Sequence, residues 1–206
     1  MELRTGKELF TMGGQPIDLL SMLDFWQFQF SNIFDLQEHI AEFLVAKALR
    51  IKKPYNRDGW TQWDINYKKT RIEVKETGYY YSWQKNKKKS DVRTWDIHKT
   101  YTLDEKKERI KIGEDSKGNA IYKQERQSDI YVFCLNTGKQ KKSSNPLQLE
   151  HWEFYIIPTS TINEVCGDNK SISLSKVKKL AKQSTPFGEL KSKIDQIISQ
   201  IKKYNI

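Results

Sequence analysis

Cysteine and histidine are scarce in this chain, with two of the first and three of the second among 206 residues. Cys134 and Cys166 make neither a disulfide framework nor a zinc module, and His39, His98 and His151 are scattered without ligand spacing. Each histidine is therefore expected to be structural, and Cys134, inside an apolar run, to be core. Long apolar runs are missing too. No stretch approaches the roughly 20 residues of a membrane span, and no signal peptide or lipidation motif is found, so a soluble, cytoplasmic protein with no membrane partner is expected. Acid is the minority charge: 26 Asp and Glu face 36 Lys and Arg, for a net charge of +10. A surplus of that sign favours a polyanionic partner, because each phosphate neutralised releases condensed counterions. Lysine-rich genomes also make basic proteins of every function, so charge alone does not choose. The length suits one full core, and a single domain over 1–206 is expected.

What the chain does have is a compact constellation of Asp64, Glu73 and Lys75. The runs Thr61–Asn66 and Arg71–Glu76 alternate apolar and polar residues with period two, which predicts two half-buried strands joined by a turn at Tyr67–Thr70. With a two-residue loop at Lys68 and Lys69, Trp63 faces Val74 and Ile65 faces Ile72 on the core side. Gln62 then faces Lys75, Asp64 faces Glu73 and Asn66 faces Arg71 on the other. A four-residue loop keeps this pairing; a three-residue loop breaks it. Opposed residues have Cβ atoms roughly 4.5–5.5 Å apart, where two carboxylates repel unless something positive lies between them. A divalent cation fits that place, since Mg²⁺ takes hard oxygen ligands and completes its shell with water and phosphate. Lys75 follows Glu73 by two residues and shares its face, where it can orient or deprotonate a water or neutralise phosphate charge. The alternative is a solvated strand face of mixed charge, common in lysine-rich chains.

Asp64 followed by Glu73-Val74-Lys75 resembles the PD-(D/E)xK nuclease superfamily, the restriction-endonuclease-like fold. The segments 41–49, 63–64, 72–75, 128–135 and 152–158 are also similar to those of a group of small bacterial members, so the resemblance runs from about Phe34 to Pro158. It implies an α/β fold with a central mixed β-sheet flanked by helices: one helix, a strand meander, a second helix and a further strand. It implies further that Asp64, Glu73 and the Val74 backbone carbonyl hold Mg²⁺, with Mn²⁺ as a substitute, and that Lys75 serves the attacking water. Trp63 stands where many members have proline, and the glutamine-to-tyrosine signature of RecB-like exonucleases is missing downstream of Lys75. A helix of the family often supplies one more acid. On the helix expected over about Phe34–Leu49, Glu38 follows Asp35 at capping-box spacing. Glu42 sits mid-helix among apolar residues, where a carboxylate should be paired or coordinate something, and is the favoured third acid.

The rest of the chain is expected to serve this core. Phe25–Phe30 alternates aromatics and reads as strand or helix, packing on the core or on a second subunit. The connection from Arg50 to Trp60 brings Arg57 or Lys53 near phosphate. Residues 85–127 form a polar, β-rich insertion that opens with Lys85, Lys87, Lys88, Lys89 and Arg93, a basic arm for nucleic acid or a solvated excursion, with a hairpin around Gly113–Asn119. Tyr79–Tyr81 and Trp83 either stack on bases or pack. Ile130–Leu135 and Trp152–Ile157 predict buried strands, and residues 173–206 two helices, the last striped by Leu190, Ile194, Ile197, Ile198 and Ile201. The expected activity is DNA endonuclease, of restriction type if a homodimer cuts both strands. A binding module without hydrolysis and a nuclease acting on RNA are the alternatives.

Overall fold

The computed structural model describes residues 5–32, 36–51, 61–81, 93–140 and 144–204. It begins with a hairpin of β1 (Leu9–Met12) and β2 (Gln15–Ser21), turned through Gly13 and Gly14, both at positive φ. Helix α1 (Met22–Gln29) follows, opened by a capping box between Ser21 and Asp24. The aromatic run is thus helical through Gln29, and its rings gain little cover. Phe28 is 79% exposed, and none of the described side chains of this unit belongs to either apolar core.

Helix α2 (Gln37–Ala48) buries Ala41, Leu44, Val45 and Ala46. Its N-cap is Leu36, whose side chain makes no capping bond, so Glu38 stands at the second helical position and not at the third of a capping box; Asp35 lies outside the described residues. The segment predicted as a hairpin gives β3 (Ile65–Tyr67) and β4 (Thr70–Gly78), turned through Lys68 and Lys69. Their register, Ile65 with Ile72 and Asn66 with Arg71, is the expected one. The first strand is shorter than the alternation predicts, because its ladder stops at Ile65. Trp63, expected in the core opposite Val74, is instead half-buried beneath the Arg71 guanidinium, 5.5 Å from its ring centre.

The long connection after β4 holds β5 (Thr94–Asp96), β6 (Thr100–Tyr101), β7 (Lys111–Glu114), β8 (Ala120–Tyr122) and β9 (Gln124–Glu125). β7 and β8 form the expected polar hairpin, and β6 pairs with β9. Within its described residues Trp95 and Ile97 are buried, with the Trp95 ring 5.3 Å from that of Phe133. β10 (Ile130–Asn136) and β11 (Trp152–Pro158) complete a four-stranded mixed sheet in the order β11-β10-β4-β3, with β4 and β10 parallel and the other pairs antiparallel. Parallel neighbours need a crossover, and residues 79–129 supply it. Its described residues form short strands where the resemblance implies a helix. The Arg71 guanidinium and backbone N–H both donate to Asp129, which ties the start of β4 to the residue before β10.

After β11 come α3 (Thr159–Cys166), β12 (Ser171–Ser173), which pairs with β5, and α4 (Leu174–Ala181). Helix α5 (Leu190–Tyr204) closes the chain. The sheet separates two cores. Ile72, Val74, Val132 and Phe154 meet α2 and the Leu190, Ile194, Ile197 and Ile198 stripe of α5 on one face. Tyr131, Phe133 and Tyr155 meet β5, α3, β12 and α4 on the other. Burying each such side chain contributes about 1.5–3 kcal/mol relative to exposure, so the α5 stripe is part of this domain's own interior. All seven residues of β10, with helices on both sides, are buried, as a continuous apolar run requires.

Candidate active site

No residue of β3 pairs with β4 beyond Ile72, and the open edge this leaves is where the acids gather. The Asp64 backbone N–H donates to the Ile72 carbonyl at 3.1 Å, and its carboxylate Oδ2 accepts from the Val74 N–H at 2.7 Å. A carboxylate therefore stands where a continuing strand would offer a backbone carbonyl, which is why β3 ends here. The N–H and C=O of one strand residue point the same way, so the Val74 carbonyl faces this edge as well.

Alternation along β4 sends Ile72, Val74 and Glu76 towards α2, and Glu73 and Lys75 to the opposite face. The Lys75 ammonium lies 2.7 Å from Glu73 Oε1, and the two side chains are only 28% and 17% exposed. Burial raises the Glu73 carboxyl above its ordinary range, and the Asp64 charge raises it further against the pull of Lys75. For Lys75 burial works against the charge, yet Glu73 and then Asp64 hold the ammonium's pKa above the ordinary lysine value. An ammonium held so firmly cannot take a proton from water at neutral pH. It can orient a water and balance negative charge.

Beside this pair opens a small cleft of about 50 Å³, lined among others by Gln62, Glu73, Lys75, Asp96, His98 and Tyr131. A water needs roughly 10–15 Å³ by such a measure, so the cleft has room for more than one. Burial and Glu73 push the Tyr131 hydroxyl up to about 12, leaving it a neutral donor. Asp96 and His98 arrive on the segment whose alternate residues, Trp95 and Ile97, are buried. The His98 ring Nδ1 lies 2.7 Å from the Asp96 carboxylate, which also accepts the His98 backbone N–H at 2.9 Å. Asp96 carries no signal of its own in the sequence, and His98 is expected there to be structural. The available signal was Asp-x-His at strand spacing with apolar residues between, which needs the strand's position to mean anything.

On the α2 side of β4, Glu76 accepts from the Tyr81 hydroxyl at 3.2 Å, and that hydroxyl accepts the Gly78 N–H at 2.8 Å. Burial pushes the Glu76 carboxyl up to about 8, with Glu38 adding to the rise and Tyr81 opposing it. Glu38 also contributes to the rise at Glu73. Glu42, the favoured third acid, is half-buried one turn further along the same helix. Of the basic residues expected to meet nucleic acid, Lys53, Arg57, Lys85, Lys87, Lys88 and Lys89 lie outside the described residues, as does Trp83. The Arg93 guanidinium sits 4.8 Å above the Tyr79 ring, so Tyr79 packs instead of offering a free face.

Among the described residues no group of three or more His, Cys, Asp or Glu side chains is arranged to hold a metal ion. What the edge offers is two carboxylates and the Val74 carbonyl, all hard oxygen donors. That set fits Mg²⁺, which is bound through one or two carboxylates plus water and phosphate. It does not fit zinc, which prefers nitrogen and sulfur. Comparison with known proteins gives no family model, no curated protein and no solved structure that matches this chain, so the site is read from its own geometry. Among the described residues no helix is long and apolar enough to cross a membrane.

Proposed function

We propose that the protein is a metal-dependent endonuclease that hydrolyses phosphodiester bonds in DNA, built on the restriction-endonuclease-like plan of the PD-(D/E)xK superfamily. One observation carries the reading. Asp64 turns its carboxylate to the open edge of β4 beside Glu73 and the Lys75 ammonium, and its charge adds to burial in raising the Glu73 carboxyl. A strand that served only packing would gain nothing from that repulsion. The order of helix, hairpin and parallel buried strand supports the same plan, and the net charge of +10 suits a phosphate polymer.

Asp64, Glu73 and the Val74 carbonyl would hold Mg²⁺ or Mn²⁺, which when bound supplies positive charge against the phosphate and the leaving oxygen. Lys75 positions a water from the adjoining cleft and neutralises charge on the phosphate as the water approaches in line. Glu73 keeps the ammonium in place, and buried Val74 anchors the strand that carries both. One such site cuts one strand, so cutting both strands of a duplex takes two copies or two visits.

The test is cleavage of plasmid DNA, with structured RNA alongside, in Mg²⁺ and in chelator. Asp64→Ala and Lys75→Ala should each slow DNA cleavage by about 10²–10³-fold or more while DNA binding in a gel-shift assay persists. Variants that cut as well as the parent, or a parent that binds DNA but cuts neither polymer, would overturn the reading. Cleavage confined to RNA would replace the substrate and keep the chemistry.

A further inference from the structure

Resting on the hydrolytic reading above, we propose that His98 is a catalytic residue of this site, the general acid that protonates the leaving oxygen, with Asp96 as its positioning residue. Glu73, Lys75, Asp96 and His98 line one cleft, and the proposal places the scissile phosphate at its mouth, between the two pairs.

Chemistry narrows the choice of acid. In-line attack by water forms one P–O bond and breaks another, and the electron pair of the broken bond leaves on an alkoxide oxygen that must acquire a proton. The Lys75 ammonium is engaged by Glu73 at 2.7 Å, and Tyr131 is buried on the neighbouring strand beside Glu73. Asp96 has no proton to give, since, although burial works the other way, the His98 backbone N–H and ring and then Lys75 keep it below the usual carboxylate range. Arg126, also on the cleft wall, is buried and donates to the backbone carbonyls of Ile97, Gly167 and Asn169 and to the Asn163 side chain. Histidine remains, a residue type that exchanges protons near neutral pH.

Its placement suits the task. A carboxylate only accepts, so the Nδ1 that faces Asp96 at 2.7 Å carries the hydrogen. That contact, between side chains 52% and 58% exposed, orients the ring and leaves Nε2 for the substrate, an imidazole paired with a carboxylate as in other acid–base pairs. The second contact, from the His98 backbone N–H to the same carboxylate, locks the Asp96–His98 turn. Burial of Trp95 and Ile97 on either side of Asp96 fixes the segment against the sheet that carries Glu73 and Lys75. In the proposed step Nε2–H passes its proton to the leaving oxygen, giving an alcohol and a neutral imidazole. The proton released by the attacking water goes to solvent, from which His98 is recharged.

A leaving group that needs no proton separates this role from a structural one. His98→Ala, His98→Gln and Asp96→Asn are compared with the parent protein on DNA and on thymidine 5′-(p-nitrophenyl phosphate), whose nitrophenolate departs unprotonated. The His98 variants should cut DNA about 10²-fold or more slowly yet keep the nitrophenyl ester within a few-fold, and free imidazole should restore part of the His98→Ala rate on DNA. Asp96→Asn should show the same selectivity with a smaller loss. Lys75→Ala should lose both substrates, which marks the site itself. Equal losses on both substrates, or no loss on either, in folded His98 variants would overturn the acid role while leaving the nuclease reading intact. A parent protein inert towards both substrates would overturn both.

Discussion

Glu73 and Glu76 lie three residues apart on β4, and the pleat sends them to opposite faces of the sheet. Burial raises the pKa of both, but their company differs. Glu73 meets the Lys75 ammonium at 2.7 Å and Asp64 at the strand edge, so it remains half of an ion pair with a second acid pressing on it. Glu76 meets a phenol hydroxyl and the further negative charge of Glu38. The first arrangement is prepared to exchange one cation for another. The second is prepared to keep a proton. A desolvated carboxylate on this strand thus takes its role from what faces it, not from its own burial.

The comparison breaks most sharply with pH. Glu76 ionises near 4.5 when unfolded and near 8 when folded, so the unfolded chain gives up its proton first as pH rises. The carboxyl favours the folded state equally up to about pH 4.5, and that contribution is lost progressively towards pH 8. At 1.36 kcal/mol per pKa unit the loss is about 4–5 kcal/mol as an upper bound. Glu76→Gln copies the protonated acid and should remove this slope, leaving the variant more stable than the parent by up to that amount at pH 8 and nearly equal to it at pH 4.5. Urea midpoints measured across pH 4.5–9 check the difference, and parallel curves for the two proteins would show that Glu76 does not hold its proton.

On the other face the sign reverses. Lys75→Met leaves Glu73 and Asp64 without their ammonium, and removing one member of a largely buried pair costs about 3–5 kcal/mol, reduced here to roughly 2–3 by partial exposure. The deficit should shrink as pH falls and Glu73 takes up a proton, and millimolar Mg²⁺ should recover part of it by binding the folded state alone. Thermal melts with and without Mg²⁺ measure this. A Lys75→Met protein that melts with the parent, and ignores Mg²⁺, would place the two faces of β4 on the same footing.

Much of this was legible in the residues. Period-two alternation located β3 and β4 and fixed their register, because a buried face tolerates no one-residue slip. The apolar runs gave β10 and β11, and the stripe on α5 found its place in the first core. What stayed hidden depends on tertiary contact. Asp64 ends β3 by taking the Val74 N–H with its side chain, and local pattern cannot distinguish that from two more paired residues. Trp95 and Ile97 sit in a stretch whose overall polarity reads as solvated, although two large side chains suffice to seat β5 on the sheet. Glu76 looked like one more polar position at a strand end, since its neighbours Tyr81 and Glu38 come together only in the fold. His98 reads as structural from its spacing alone, since the cleft it shares with Glu73 forms only in the fold.

The β1–β2 and β3–β4 hairpins extend the lesson to the backbone. Both turn through two residues at positive φ, Gly13 and Gly14 in one and Lys68 and Lys69 in the other. The first uses residues that adopt this conformation freely, yet its strands bury almost nothing. The second puts side chains where they cost about 1–2 kcal/mol per residue, and it is held by Ile65, Ile72 and Val74 in the core. Lys68 has a compensating partner, its ammonium lying 2.7 Å from Asp195 Oδ1. Lys69→Gly should therefore relieve strain, offset in part by the extra freedom glycine gives the unfolded chain, for a net gain of about 0.5–1 kcal/mol. Gly13→Ala, strained in the same sense, should barely change the global urea midpoint, because the first hairpin contributes nothing to either core. A Lys69→Gly protein that loses stability would mean that packing of the turn, and not its backbone, sets the register that brings Asp64 to Glu73.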